Sequence, residues 1–176
     1  MRRVLTVHAT AGYDQAIAAA DLLTRLRLDF AFVGNVARAA WLGTTVERGS
    51  LDILAVMAPE QKNQVAMMAS NRGFVVDREE IEQSEELDLV PIRFPTGEGE
   101  VRIHVLVASN ALYARMVKAA VPSERGKIVT AEDLALLFSL GEDQDAGKLI
   151  HLPGFDRRSY NERLTSIGLS GLTVNE

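Results

Sequence analysis

"LDFAFVGNVARAAWLGTTVERGSLDILAVM", residues 28–57, holds two apolar runs, two glycine junctions and one isolated acid. Leu28 to Val33 reads as a short strand ended by Gly34. "NVARAAWLG" then reads as a short helix, with Asn35 as its N-cap and Gly43 as its stop. "SLDILAVMA" is a second strand, closed by Pro59. Within it Asp52 lies between Leu51 and Ile53, and strand alternation puts Leu54 on the same side as Asp52. The stretch is strand, helix, strand, with a single carboxylate breaking an apolar ladder.

Outward from this centre the pattern continues. Before it, residues 13–27 carry Ile17, Ala20, Leu23 and Leu26 near helical spacing. After it, residues 59–73 read as a helix, with Pro59 in the first turn, Glu60 at the positive end and Gly73 as terminator. Residues 77–88 hold seven acids and one arginine, the composition of a solvated helix face or loop. "LDLVPIRF" and "EVRIHVLVA", joined by "PTGEG", predict a hairpin with a glycine-containing turn of more than two residues. Next come a helix from Asn110, a break from Pro122 to Gly126 and a strand "KIV". A helix capped by Thr130, the polar stretch "EDQDAGKLIH" and a last helix "DRRSYNERLTSIG" complete the chain. The order predicts an α/β (α+β) fold: a mixed sheet flanked by helices, with a helical C-terminal portion. The expected division is an α/β core over 1–120 and a helical extension over 121–176 packed on it.

Composition narrows the functional classes. A net charge of −5 and a pI near 5.3 argue against strong non-specific binding to nucleic acid. The absence of cysteine excludes disulfides, thiolate nucleophiles and Cys-based zinc sites. No apolar run approaches the ~20 residues a membrane span needs, and the N-terminal segment makes a poor signal peptide, so a cytoplasmic protein with no membrane partner is expected. There is no Walker loop, no GxGxxG after the first strand and no G-x-S-x-G, and His8, His104 and His151 are too scattered for a helix-borne metal motif.

The order of these pieces resembles the core of the minimal nucleotidyltransferases, particularly the AbiEii-like group of bacterial toxin relatives. Members of that family show a strand ending in Gly-Gly or Gly-Ser, a short helix, and then a strand of the form R-x-T-x-D-x-D. Matching pieces here are Phe32-Val33-Gly34-Asn35, the helix to Leu42, and Arg48-Gly49-Ser50-Leu51-Asp52-Ile53-Leu54. "ELDLVPIRF", with Asp88, is similar to the strand bearing the family's third carboxylate, and "VTAEDLALLF" to the helix after the sheet. The resemblance covers roughly residues 13 to 140 by organisation.

It implies nucleotidyl transfer, in which magnesium ions ~3.5–4 Å apart position and neutralise a triphosphate. Carboxylates at i and i+2 of one strand stand ~6.6 Å apart on one face, where they and a third from a neighbouring strand cage the metals. The implied catalytic and metal-binding positions are Asp52 and Asp88, with Leu54 where the middle carboxylate belongs. Gly34, Asn35, Arg48 and Ser50 are the implied nucleotide-binding positions. Each has an ordinary competitor. Asn35 is the more readily explained as a helix cap. Arg48 is the more readily explained as half of a surface ion pair, and Asp88 serves as well as a solvated acid. His104 could line the site, although a surface or partly buried histidine is the commoner case, and its nitrogen suits zinc or nickel better than magnesium. Lys118 and Lys127 fall where the family carries triphosphate lysines but are the more readily explained as solvated surface. Trp41 is the natural anchor of its helix, and Met57, Met67 and Met68 are the simplest core filler.

Three readings follow. The first is a relative with an incomplete carboxylate set that binds a nucleotide, an RNA end or a protein partner. The second is an active toxin–antitoxin-type transferase that uses magnesium on Asp52 and Asp88, alone or with other carboxylates. The third is a structural or oligomeric partner protein. The missing ligand at Leu54 favours the first, in which no cofactor is required.

Overall fold

The structure is a computed structural model that describes residues 5–7, 13–46, 50–77, 88–97 and 99–169. Residues 78–87, most of the acidic run, lie outside it, as do His8 and Arg48. The chain divides into two compact units, 1–129 and 130–176.

The first unit is built on a seven-stranded mixed sheet. Its strands are β1 (Asp29–Phe32), β2 (Ser50–Val56), β3 (Val75–Val76), β4 (Leu89–Thr96), β5 (Gly99–Val107), β6 (Val121–Ser123) and β7 (Gly126–Ile128). Their order across the sheet is β3-β4-β5-β2-β1-β7-β6. β1 and β2 run antiparallel, with Phe32 opposite Ile53, and β2 and β5 run parallel. Helices α1 (Tyr13–Arg25), α2 (Gly34–Leu42), α3 (Gln61–Ser70) and α4 (Ala111–Ala119) accompany the strands.

One face of the sheet is closed by its own alternation. Ile53, Ile103, Val105, Val90 and Ile92 share a parity and are buried to within 1%. α1 covers part of this face, since Tyr13 meets Phe32 at a ring-centroid distance of 6.2 Å. Burying such side chains contributes about 1.5–3 kcal/mol each, which fixes the register: a slip of one residue would move all of them to the other face.

Several expectations hold and others change. α2 begins at Gly34, with Val33 as its N-cap, so Asn35 lies in the first turn and is not the cap. α3 starts at Gln61, after Pro59, and its C-cap is Asn71. Thr96 pairs with Gly99, which leaves two residues between the hairpin's paired ends, not a longer turn. The segment from Pro122 to Gly126 is not a plain break: Val121–Ser123 pairs antiparallel with Gly126–Ile128, and Ile128 joins Phe32 of β1. Met57 is buried as expected, but Met67 is 54% exposed, because it points away from the strip of α3 that buries Val65, Ala66 and Ala69.

The second unit contains α5 (Ala131–Leu140), α6 (Asp145–Ile150) and α7 (Arg157–Ser166). "EDQDAGKLIH" therefore holds a short helix. Thr130 caps α5 through its hydroxyl, which accepts from the Asp133 amide and donates to Oδ2 of the same residue. Asp133 is fully buried and also accepts from Arg163 Nε on α7 at 2.7 Å. Asp156 caps α7, and its own amide donates to Glu132.

Candidate functional site

Asp52 sits early in β2, on the face opposite Ile53. Three features of the fold converge on it. The first is Gly34, at the β1–α2 junction, whose φ of +54° is the left-handed region where glycine carries no penalty. A Cβ at this position would run into Asp52 Oδ2. The glycine thus serves both the turn and the close approach of backbone to carboxylate.

The second feature is the start of α2. Its N-cap, Val33, offers no side-chain acceptor, so no side chain at the cap position satisfies the first-turn amides. The turn is held in place by the side chain of Asn35, which donates from Nδ2 to Ser50 O at 3.1 Å and accepts from Arg38 through Oδ1. Ser50 opens β2 and contributes its main-chain oxygen to this tie. The same helix is anchored at its other end by Trp41, whose indole donates to Val129 O at 2.9 Å.

The third feature is His104. The parallel pairing of β2 with β5 sets His104 directly beside Asp52, and His104 Nδ1 lies 3.1 Å from Asp52 Oδ1. Both side chains keep some contact with solvent, 31% for His104 and 21% for Asp52. Pro91 of β4 extends this row, and one pleat away Arg93, Arg102 and Ser50 form a second row across the same three strands. Pro91, Ile92, Arg93, Arg102 and His104 line a cavity of about 170 Å³.

The other positions fall differently. Leu54 shares the Asp52 face but is 3% exposed, packed opposite Ala31. Asp88 precedes β4 at the far end of the strands, where its main-chain oxygen accepts from Val107 N. It lies three residues along β4 from the Pro91–His104–Asp52 row, ~10 Å along the strand and two strands across. Its carboxylate is held by Lys62 of α3. The structure therefore does not bring Asp88 to Asp52. Lys118 and Lys127 are exposed, on α4 and β7. Among the described residues there is no cluster of three or more His, Cys, Asp or Glu able to hold a metal ion. No described helix is long and apolar enough to cross a membrane.

His104 is the neighbour that sequence reasoning undervalued. The usable signal was symmetry: "LDILAV" and "IHVLV" each have one polar residue interrupting an apolar strand, and the two strands pair in register there.

The sequence matches no protein-family model, and no curated protein matches it significantly. Solved structures do resemble it. An antigenic nucleotidyltransferase-like protein from Paracoccidioides brasiliensis superimposes with a TM-score of 0.54 at 14% identity, over 82% of this chain and 74% of that one. The antibiotic-resistance factor ANT(2'')-Ia, in complex with adenylyl-2''-tobramycin, gives 0.46 at 17% identity, over 90% and 91%. The Cid1 poly(U) polymerase gives 0.43 at 12% identity, and the chain spans only 37% of its length. The mixed sheet and its helices thus form a nucleotidyltransferase-like fold.

Proposed function

We propose that this chain is an AbiEii-like, toxin–antitoxin-related member of the nucleotidyltransferase-fold proteins that binds a nucleotide, in the cytoplasm, without transferring it efficiently. The observation that carries this reading is Asp52, the one carboxylate that the described residues bring to the Gly34 turn. Asp52 abuts Gly34 and the uncapped start of α2, the arrangement that admits phosphate oxygens to backbone amides. Around Asp52 the donors do not fit a pair of magnesium ions. Leu54 is buried hydrocarbon, Asp88 is engaged by Lys62 elsewhere, and the adjacent strand offers an imidazole. Magnesium needs several hard oxygens in octahedral array, and one carboxylate beside a nitrogen supplies too few. In this reading the nucleotide sits on Gly34, Asn35, Ser50 and Arg48 with no obligatory metal.

A second reading is supported by the Asp52–His104 pair, which could hold one softer cation and retain slow transfer. The test is incubation with α-labelled ATP, CTP, GTP and UTP plus total RNA, with magnesium, manganese or zinc. No labelled product above the background of the Asp52→Asn variant is expected. Label transfer by the natural sequence that Asp52→Asn abolishes would overturn the first reading and establish the second.

A further inference from the structure

The sheet face opposite Asp52 carries another cavity, of about 270 Å³, where α1, the residues Arg72 to Phe74 and β4 come together. Phe94 keeps the parity of Val90 and Ile92, so it stands on this face and not on the face of His104. It meets Phe74 edge to face at a ring-centroid distance of 5.3 Å, and the two rings form an aromatic wall. From α1 come Gln15, Ala18 and Asp21, three residues apart on one side of the helix. Ala18 is the short one, and it leaves room between the longer two. Asp21 and Arg72 are both exposed and line the same cavity, yet neither forms an ion pair with the other or with any other of the described residues. Gln15 Oε1 is buried and has no hydrogen-bond partner among the described residues. The last torsion of a glutamine is soft, so a small turn presents that amide to the cavity. Asp14, the remaining acid of the lining, is held by Arg125 at 2.8 Å.

We propose that this cavity binds a free α-amino acid with a large apolar side chain. The ligand's ammonium donates to Asp21 and to the Gln15 oxygen, its carboxylate accepts from the Arg72 guanidinium, and its side chain lies against Phe74 and Phe94. Charge selects this class. A polyphosphate would meet Asp14 and Asp21 with a single arginine against them. A plain amine leaves Arg72 unmatched, and a plain carboxylate leaves Asp21 unmatched; a zwitterion answers both. Size agrees, since the volume equals roughly nine waters at about 30 Å³ each, room for a ligand of about a dozen non-hydrogen atoms. The sheet stands between this cavity and Asp52, so the inference is independent of the nucleotide reading.

The test is amide proton–nitrogen NMR of the whole chain, titrated with L-phenylalanine, phenethylamine and 3-phenylpropionate, for the natural sequence, Asp21→Asn and Arg72→Gln. Ligands of this size are held at about millimolar strength, which the method reads and places. Phenylalanine is expected to shift the amides of Asp21, Leu22 and Phe74 and to leave those of Gly34 and Asp52 unmoved. Both variants replace exposed side chains, so the rest of the spectrum is expected to stay as it is. Asp21→Asn is expected to weaken phenylalanine and phenethylamine about fivefold, the worth of one exposed charge pair, and to leave 3-phenylpropionate unchanged. Arg72→Gln is expected to weaken phenylalanine and 3-phenylpropionate by about the same factor and to leave phenethylamine unchanged. No shift at the three amides with any of the ligands overturns the proposal, as do phenylalanine shifts centred on Gly34 and Asp52. Equal affinity for all three ligands in all three proteins also overturns it, because the aromatic wall alone would then account for binding.

Discussion

Gly34→Ala should damage the protein in two separable ways. A β-carbon at φ +54° meets the left-handed backbone penalty, about 1–2 kcal/mol. It also lands on Asp52 Oδ2, so the carboxylate must turn aside and give up its bond to His104, at a further ~1 kcal/mol or more. The single variant should therefore lose about 2–4 kcal/mol. In an Asp52→Ala background there is no carboxylate to collide with and no bond to lose, and only the backbone penalty of ~1–2 kcal/mol remains. The coupling between the two sites should be about 1–2 kcal/mol, well above the additivity of distant residues. Urea unfolding of the four proteins measures it, with Trp41 as reporter. Trp41 is the sole tryptophan and belongs to α2, the helix that Gly34 begins. Because its signal comes from the first unit, unfolding of the second does not confuse the midpoint. Costs that add to within ~0.5 kcal/mol would refute the close approach of Gly34 to Asp52.

Other outcomes are as definite. Leu54→Asp, which restores the i and i+2 carboxylates, should cost several kcal/mol by placing a charge where the side chain is 3% exposed, and a thermal melt would show it; a variant as stable as the natural protein would mean that position opens to water. Asp133→Ala removes one partner of a buried ion pair and strands Arg163, so about 3–5 kcal/mol should be lost from the second unit, read by circular dichroism or amide exchange. Burial raises the Tyr13 hydroxyl above its ordinary 10.0, partly offset by Arg125. Between the unfolded and folded values the unfolded chain holds fewer protons, so this contribution to stability is full below pH 10 and falls as pH rises through the folded value. Tyr13→Phe should flatten the alkaline limb of a stability–pH profile, and an unchanged slope would contradict the assignment.

The centre of the fold was legible because its cues are local. Gly34 and Gly43 mark both ends of α2, apolar runs mark β1 and β2, and Thr130 announces α5 three residues ahead of its acid. β7 was legible as the strand "KIV", shifted by one residue, but β6 escaped notice because a three-residue strand is too short for alternation to speak and this one contains Pro122. The site was half legible for a related reason. Asp52 stands out within its own strand, but its neighbour is chosen by register, which is a long-range property. Sequence order offers Asp88 as the next acid in a strand, yet β4 lies one strand farther from β2 than β5 does. The antiparallel hairpin turns the chain back so that His104, sixteen residues later, faces Asp52. Asn35 likewise looked like a cap by type and position, and became a tie to Ser50 because the left-handed Gly34 starts the helix one residue early.

Titration calorimetry of each nucleoside triphosphate against the natural sequence and Asp52→Asn, with and without magnesium, separates a metal-free nucleotide site from a metal-dependent one. A carboxylate beside the triphosphate repels it; at ~4 Å in water one pair of unit charges is worth about 1 kcal/mol, roughly fivefold in affinity. The expected result is binding that magnesium does not require and that Asp52→Asn tightens by about that factor. Binding that appears only with magnesium and disappears in Asp52→Asn would contradict it.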